Sequence, residues 1–294
     1  MESNQTGQTQ SPTPESENRP FKIQLQLPLA LPSPTPPVPP VPPEIPPQPP
    51  VPEKKLWGGW ATIGFTAVIL LVFFAAQFVV QIVFIFLQPG VLTSTAALTA
   101  LASNGLLLSL SEFIGAPAGL AMVFVFVELK KGFSFTEYIG LKRTGVKTVF
   151  LMVGIALGLL VISAFVGNYL APAGSNNDSA LTEYRTVWPP LLFLAVTVFA
   201  PIFEESLFRG FMLGGLKNSP VGPTGAVIIT AALFGVLHLT QYDIYGVTQI
   251  FIFGIVLGII RLKTKSLWNT IAVHASWNFL TIVYAALVVY GVVK

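Results

Sequence analysis

The sequence has no cysteine in 294 residues. That excludes disulfides, thiolate zinc sites and a cysteine nucleophile. Charge is scarce as well: 16 Lys+Arg and 13 Asp+Glu make up 10% of the chain, whereas soluble domains carry about 25% because their surfaces face water. So thin a supply cannot cover a soluble surface. It excludes an ordinary cytosolic enzyme and argues against a nucleic-acid partner, despite the net charge of +3. Histidine is rarer still, with 2 in the chain. Hydrophobic residues, at 53%, fill the space that charge leaves. The lipid bilayer is the expected partner of most of the surface.

Proline is unevenly spread. Of 25 prolines, 17 lie between Pro12 and Pro52, in runs such as Pro36-Pro37-Val38-Pro39-Pro40. Locked φ angles and missing N–H donors forbid helix or sheet there. Residues 1–55 therefore read as a disordered, extended Pro-rich arm, and residues 56–294 as the transmembrane domain. No apolar signal-peptide core precedes the arm, so no cleaved targeting segment is expected. A tether explains the arm at lower cost than a ligand for a Pro-binding partner, and the latter is the minor alternative.

From Trp57 onward, apolar stretches approach the roughly 20 residues that span a bilayer. The expected spans are 60–87, 105–127, 147–170, 190–216, 224–241, 245–262 and 267–291. The fold class is thus all-α, a polytopic membrane bundle of about seven transmembrane helices. Residues 91–104 fit either an outer-surface helix or a long start to the second span. Basic residues alternate between the connections: Lys54 and Lys55, then Lys130, Lys131, Lys142, Arg143 and Lys147, then Lys217, then Arg261, Lys263 and Lys265. The other connections hold almost none. By the positive-inside rule the arm lies in the cytoplasm of a multi-pass cell-membrane protein, and the C-terminus lies outside. Trp57, Trp60, Trp188 and Trp268, near span ends, read as interface anchors.

Ionisable residues within the hydrocarbon are costly and mark candidate sites. The fourth span holds Glu204, Glu205 and Arg209. His238 and His274 lie in the fifth and seventh, Asn278 follows His274 by one turn, and Glu112 stands alone in the second. Glu205 and Arg209 are four apart and share a helix face, so they can pair. Glu204 projects about 100° away and lacks that partner. His274 and Asn278 likewise share a face. If these helices pack together, Glu204, His238, His274 and Asn278 converge in one buried polar pocket, because each needs a partner and these are the ones available.

A carboxylate with two imidazoles suits activation of water, directly or through a bound Zn²⁺. Zinc accepts two His and one Glu with an open position for water, so Glu204, His238 and His274 are the candidate metal ligands. Asn and His donors suit the oxyanion formed when water attacks an amide. A serine mechanism lacks support: Ser206 has no Ser-His-Asp context, and neither Gly-x-Ser-x-Gly nor His-Glu-x-x-His occurs.

Glu204-Glu205-x-x-x-Arg209, Phe234-x-x-x-His238 and His274-x-x-x-Asn278, in that order, resemble the three motifs of the CPBP family, the CAAX-protease and bacteriocin-processing (Abi-like) intramembrane proteases. Phe208-Arg209-Gly210 strengthens the likeness to its bacterial branch. The motif region covers about 190–290, and Tyr138-Ile139-Gly140-Leu141 resembles a recurrent stretch before the family's third span. The resemblance implies a metallo- or glutamate-type endopeptidase acting on a membrane-associated or peptide substrate. Glu204 would be the catalytic glutamate and His238 its helper, while His274 and Asn278 would hold the oxyanion or a metal. Glu205 and Arg209 would be the supporting pair. A non-enzymatic immunity or scaffold protein of the same family is the alternative. A small transporter ranks below both, because the polar groups cluster in the last third of the chain.

Overall fold

The computed structural model describes residues 54–88, 90, 92, 94–101, 103–172, 179–185 and 187–293. Apart from Lys54 and Lys55, the Pro-rich arm expected over 1–55 lies outside the described residues. Among the described residues there is no β-strand, and the elements are helices throughout. They run α1 (Gly59–Leu87), α2 (Thr95–Leu101), α3 (Gly105–Glu128), α4 (Phe135–Ile139) and α5 (Val146–Leu170). There follow α6 (Ser179–Arg185), α7 (Pro189–Leu216), α8 (Gly222–Val236), α9 (Ile244–Thr264) and α10 (Leu267–Val289).

Six of these, α1, α3, α5, α7, α9 and α10, are long and apolar enough to cross a membrane. The expected fifth span, 224–241, is shorter in the structure. Helix α8 has 15 residues, about 22 Å of rise against a hydrocarbon core of about 30 Å. It ends where the chain turns polar. His238 N and Leu239 N donate to carbonyls only three residues back, at 3.0 and 3.2 Å, which tightens the last turn. Asp243 then caps α9 by accepting from Gly246 N at 2.8 Å. The ambiguous stretch 91–104 holds a separate short helix, α2. Asn104 starts α3 afresh by accepting from Leu107 N at 2.9 Å.

Burial is inverted relative to a soluble fold. Phe150 is 72% exposed while Arg209 and Glu205 are 0% exposed, as expected when lipid and not water surrounds the bundle. Helix α7 packs against α1, α3, α8 and α10, and its Phe203, Leu207, Phe208 and Phe211 are buried. Close approach depends on small residues: a Cβ on Gly119 of α3 would run into the Phe203 ring.

The basic connections gather at one end of the bundle. Lys54 pairs with Glu137 at 3.3 Å, and Trp57 Nε1 donates to Phe126 O at 2.8 Å. The Lys217 ammonium is pulled below its ordinary value, first by burial and then by Arg261, Lys265 and Lys142. The segment Tyr138-Ile139-Gly140 is the hub of this end. Arg261 Nη2 donates to Ile139 O at 2.9 Å, and Leu267 N to Gly140 O at 2.9 Å. Arg261, read from sequence only as a topology marker, is in fact 8% exposed and also donates from Nε to Arg209 O at 3.1 Å. It joins the basic end to the centre of α7.

Gly140 has φ 74°, and a Cβ there would strike the Arg261 guanidinium. Gly132 has φ 95° with open space around it. Gly132→Ala should therefore lose only the backbone contribution of about 1 kcal/mol. Gly140→Ala should lose about 2–4 kcal/mol, because Arg261 must also give up its carbonyls; thermal unfolding in nanodiscs compares the two. A second expectation concerns α6, where burial raises the Glu183 carboxyl from 4.5 to about 7. A raised carboxyl pKa means its stabilising effect is full below pH 4.5 and is lost as pH rises through about 7. Glu183→Gln should thus stabilise the fold at pH 8 relative to the parent, with the gain shrinking at pH 4.5.

Candidate active site

The site is built on α7, whose geometry is irregular for a reason legible in its residues. Residues Ala195–Phe199 and Ser206–Met212 form widened π-turns. Pro201 lacks an N–H and its ring crowds the preceding turn, which widening relieves. In a π-turn a carbonyl accepts from the residue five ahead. For Val196 that residue is Pro201, which has nothing to donate. Asn278 Nδ2 of α10 supplies the missing bond, reaching Val196 O at 2.6 Å.

Below this turn lie the two glutamates. Glu205 Oε1 accepts from Arg209 Nη1 at 2.8 Å and from His274 Nδ1 at 2.9 Å. Arg209 Nη2 donates in turn to Gly254 O of α9 at 3.2 Å. The guanidinium also lies 4.6 Å from the Phe234 ring centre, within cation–π range. Because a carboxylate only accepts, Nδ1 of His274 carries a proton. Its Nε2 faces Glu204 Oε2 across 3.5 Å. Glu204, which the helix spacing left without a partner, thus gains one from α10. His274 stands between the two neighbouring carboxyls. One proton in the Nε2–Glu204 gap leaves Arg209, Glu205, His274 and Glu204 neutral in sum, whichever atom holds it, which suits an apolar surrounding.

His238 sits just past the end of α8, in the turn that follows it. Its Nδ1 lies 2.7 Å from Phe234 O. A carbonyl only accepts, so Nδ1 bears the hydrogen and Nε2 keeps its lone pair. Phe234 separates the two imidazoles and meets each edge-on, with ring centres 4.9 Å from His238 and 5.8 Å from His274. Glu204 and His238 open onto a common cavity of about 500 Å³, bounded also by Phe73, Phe203 and Phe208. The structure therefore brings together Glu204, Glu205, Arg209 and His274 by direct contact, and Glu204 and His238 by a shared cavity. Asn278 is set apart from these: its amide holds the Val196 carbonyl, and it is not among the cavity-lining residues.

A zinc ion would draw on Glu204, His238 and His274. Among the described residues, no three His, Cys, Asp or Glu side chains are grouped to hold a metal ion. The metal-ligand reading therefore gains no geometric support, and no step below is routed through a metal.

Gln77 had no place in the sequence reading, although its signal was present. Gln77 and Gln81 are four apart on an otherwise apolar helix, hence on one face. Both line the cavity, and Gln77 Nε2 donates to Glu112 Oε1 at 2.9 Å.

With its six apolar helices, the fold is that of a multi-pass membrane protein. Residues 186–280 match the family model of the type II CAAX prenyl endopeptidases, Rce1-like. That stretch contains all three motifs, and the match bears out the resemblance to the CPBP intramembrane proteases. Among curated proteins, the chain is similar to the uncharacterized protein YyaK of Bacillus subtilis (strain 168), 27% identical over 132 residues, covering 42% of this chain and 43% of that protein. It is also similar to an uncharacterized protein of Mycoplasma capricolum subsp. capricolum, 25% identical over 166 residues, covering 48% of this chain and 46% of that protein. The matches thus span less than half the length of these relatives. No solved structure matches.

The buried pair makes a direct expectation. Arg209→Met leaves Glu205 charged in an apolar interior and should destabilise the protein by about 3–5 kcal/mol. Adding Glu205→Gln to Arg209→Met should recover much of that loss, because no unpaired charge remains. Thermal unfolding of the two single variants and the double variant reads the coupling.

Proposed function

We propose that this protein is an intramembrane endopeptidase that hydrolyses a peptide bond of a membrane-associated or peptide substrate. The observation that carries the reading is the joint opening of Glu204 and His238 onto one buried cavity, with Glu204 backed by an imidazole that is itself held by a carboxylate. The match to a protease family supports it.

In this mechanism the scissile peptide enters the cavity with its carbonyl beside Glu204. The proton in the Glu204–His274 gap rests on His274 Nε2, leaving Glu204 as carboxylate. Water between Glu204 and His238 donates one proton to Glu204, while its second hydrogen is held by His238 Nε2. The water oxygen bonds to the carbonyl carbon, and the negative charge that develops is balanced through Glu204 by the protonated His274, which touches Glu204 from behind the cavity wall. Glu204 then passes its new proton to the leaving nitrogen, the C–N bond breaks, and carboxylic acid and amine products separate. Glu205 and Arg209 are positioning residues: they fix which His274 nitrogen faces Glu204. Asn278 acts one layer out, holding α10 to the Pro201 turn.

The same proposal sets the orientation. The basic end, with Lys54, Lys130, Lys142, Lys217 and Lys265, faces the cytoplasm by the positive-inside rule. Helix α10 starts at that end and runs away from it, so the C-terminus faces outward.

The test uses the full chain in nanodiscs with a fluorogenic library of apolar peptides. Glu204→Gln and His238→Ala should each lower kcat by about 10²–10⁴-fold with little change in KM. Full activity in Glu204→Gln would sink the mechanism and favour the immunity or scaffold reading. A chelator arm separates the chemistries. Activity that persists in chelator supports the direct Glu204–His238 route. Loss that Zn²⁺ restores assigns Glu204, His238 and His274 to a metal and overturns the metal-free sequence of steps.

A further inference from the structure

The cavity has a second polar wall that water activation does not use. Glu112 of α3 is 8% exposed, and its Oε1 is held by Gln77 Nε2 of α1 at 2.9 Å. Its Oε2 is buried with no hydrogen-bond partner, and so is the hydroxyl of neighbouring Ser111. All three residues line the same cavity as Glu204 and His238. The contact between α1 and α3 is close here by construction: a Cβ on Gly115, one turn beyond Glu112, would come within 2.7 Å of Gln77 Cγ and 3.2 Å of the Phe73 ring. Gln77 is therefore packed into the position from which it fixes the Glu112 carboxyl.

A buried acceptor without a donor is unfavourable, and native proteins rarely leave one so. The groups nearby do not resolve it. Gln77 has given its amide to Oε1, and among the described residues no group donates to Oε2. Water or a ligand entering the cavity is the remaining source of a donor. The cavity that Glu112 lines is walled in part by Leu70, Phe73, Phe74 and Leu107. In such low-dielectric surroundings a cationic donor gains far more from a carboxylate than a neutral amide does.

We propose that Glu112, oriented by Gln77, is a substrate subsite that takes a basic side chain, a lysine ammonium or arginine guanidinium, of an otherwise apolar peptide. The proposal rests on the cavity being the peptide-binding site of the hydrolytic reading. It makes one basic residue near the scissile bond the specificity determinant, with apolar residues around it. Glu204 and His238 then carry the chemistry while the α1–α3 wall sets the register.

Binding tests it without turnover. Full-length Glu204→Gln protein in nanodiscs is titrated with fluorescein-labelled Ala/Leu peptides. A single lysine is moved along the peptide, and each is matched by a peptide with norleucine at the same place. One lysine register should bind about tenfold or more tighter than its norleucine match, as a desolvated ion pair requires. Adding Glu112→Gln should bring that ratio close to one and leave the norleucine affinity unchanged. Equal affinity for both peptides in the parent, a lysine preference that survives Glu112→Gln, or an equal loss for both peptides each overturns the subsite. The Glu204-intact protein separates the two proposals. A Glu112-dependent lysine preference without cleavage keeps the subsite and removes the peptidase, and cleavage without that preference does the reverse.

Discussion

The fold depends on one buried cation. Arg209 is fully enclosed in the centre of the bundle, and each of its partners comes from a different helix or turn. Glu205 lies one turn back on α7, Gly254 offers its carbonyl from α9, and the Phe234 ring comes from α8. A charge in such a place is tolerable only while every partner is present. The arrangement of α7, α8 and α9 is thereby fixed more tightly than apolar packing alone would fix it, since lipid competes with side chains for apolar contact. Through Glu205 the same cation reaches His274 on α10, so the orientation of that imidazole is set by the charge balance at the core.

A second constraint complements the first. Pro201 removes a donor, the turn before it widens, and Asn278 crosses from α10 to satisfy the carbonyl left open. Helix α10 is thus tied to α7 at two heights, by Asn278 above and His274 below. Between these ties the Glu204 carboxyl faces the cavity instead of the lipid. The step of about 100° between consecutive helical residues places the two glutamates in different surroundings, one enclosed with Arg209 and one bordering open space.

Much of this was legible in the residues, because membrane burial makes polar side chains few and each one meaningful. The all-helical class, the ends of α1, α3, α7, α9 and α10, and the Glu205–Arg209 pairing follow from hydropathy and helical spacing. The partner of Glu204 was not, since the spacing along α7 says nothing about where α10 crosses. The length of α8 was misjudged because hydropathy continues through Leu237 and Leu239, while the backbone tightens at His238 and Asp243 begins a new helix. Asn278 was read by its chemistry as an oxyanion donor. Its bond to Val196 arises from the missing N–H of Pro201, a backbone vacancy that no count of side-chain types reveals. Arg261 looked like a loop charge and is a core residue, because only the docking of Ile139 and Gly140 gives it carbonyls to hold.

Helix α8 is shorter than the hydrocarbon is thick, and the turn that follows it has a consequence for solvent. The turn over 237–242 closes the helix with its own donors, His238 N on Gly235 O and Leu239 N on Val236 O, and such non-helical backbone is tolerated at membrane depth where it is buried in protein or lines a cavity. His238, Thr240 and Gln241 from this turn line the cavity that Glu204 borders. The stretch of chain that breaks off the helix is thus the one that gives the cavity its polar groups. On the proposed hydrolytic reading, those polar groups would hold water beside a site otherwise walled by phenylalanine.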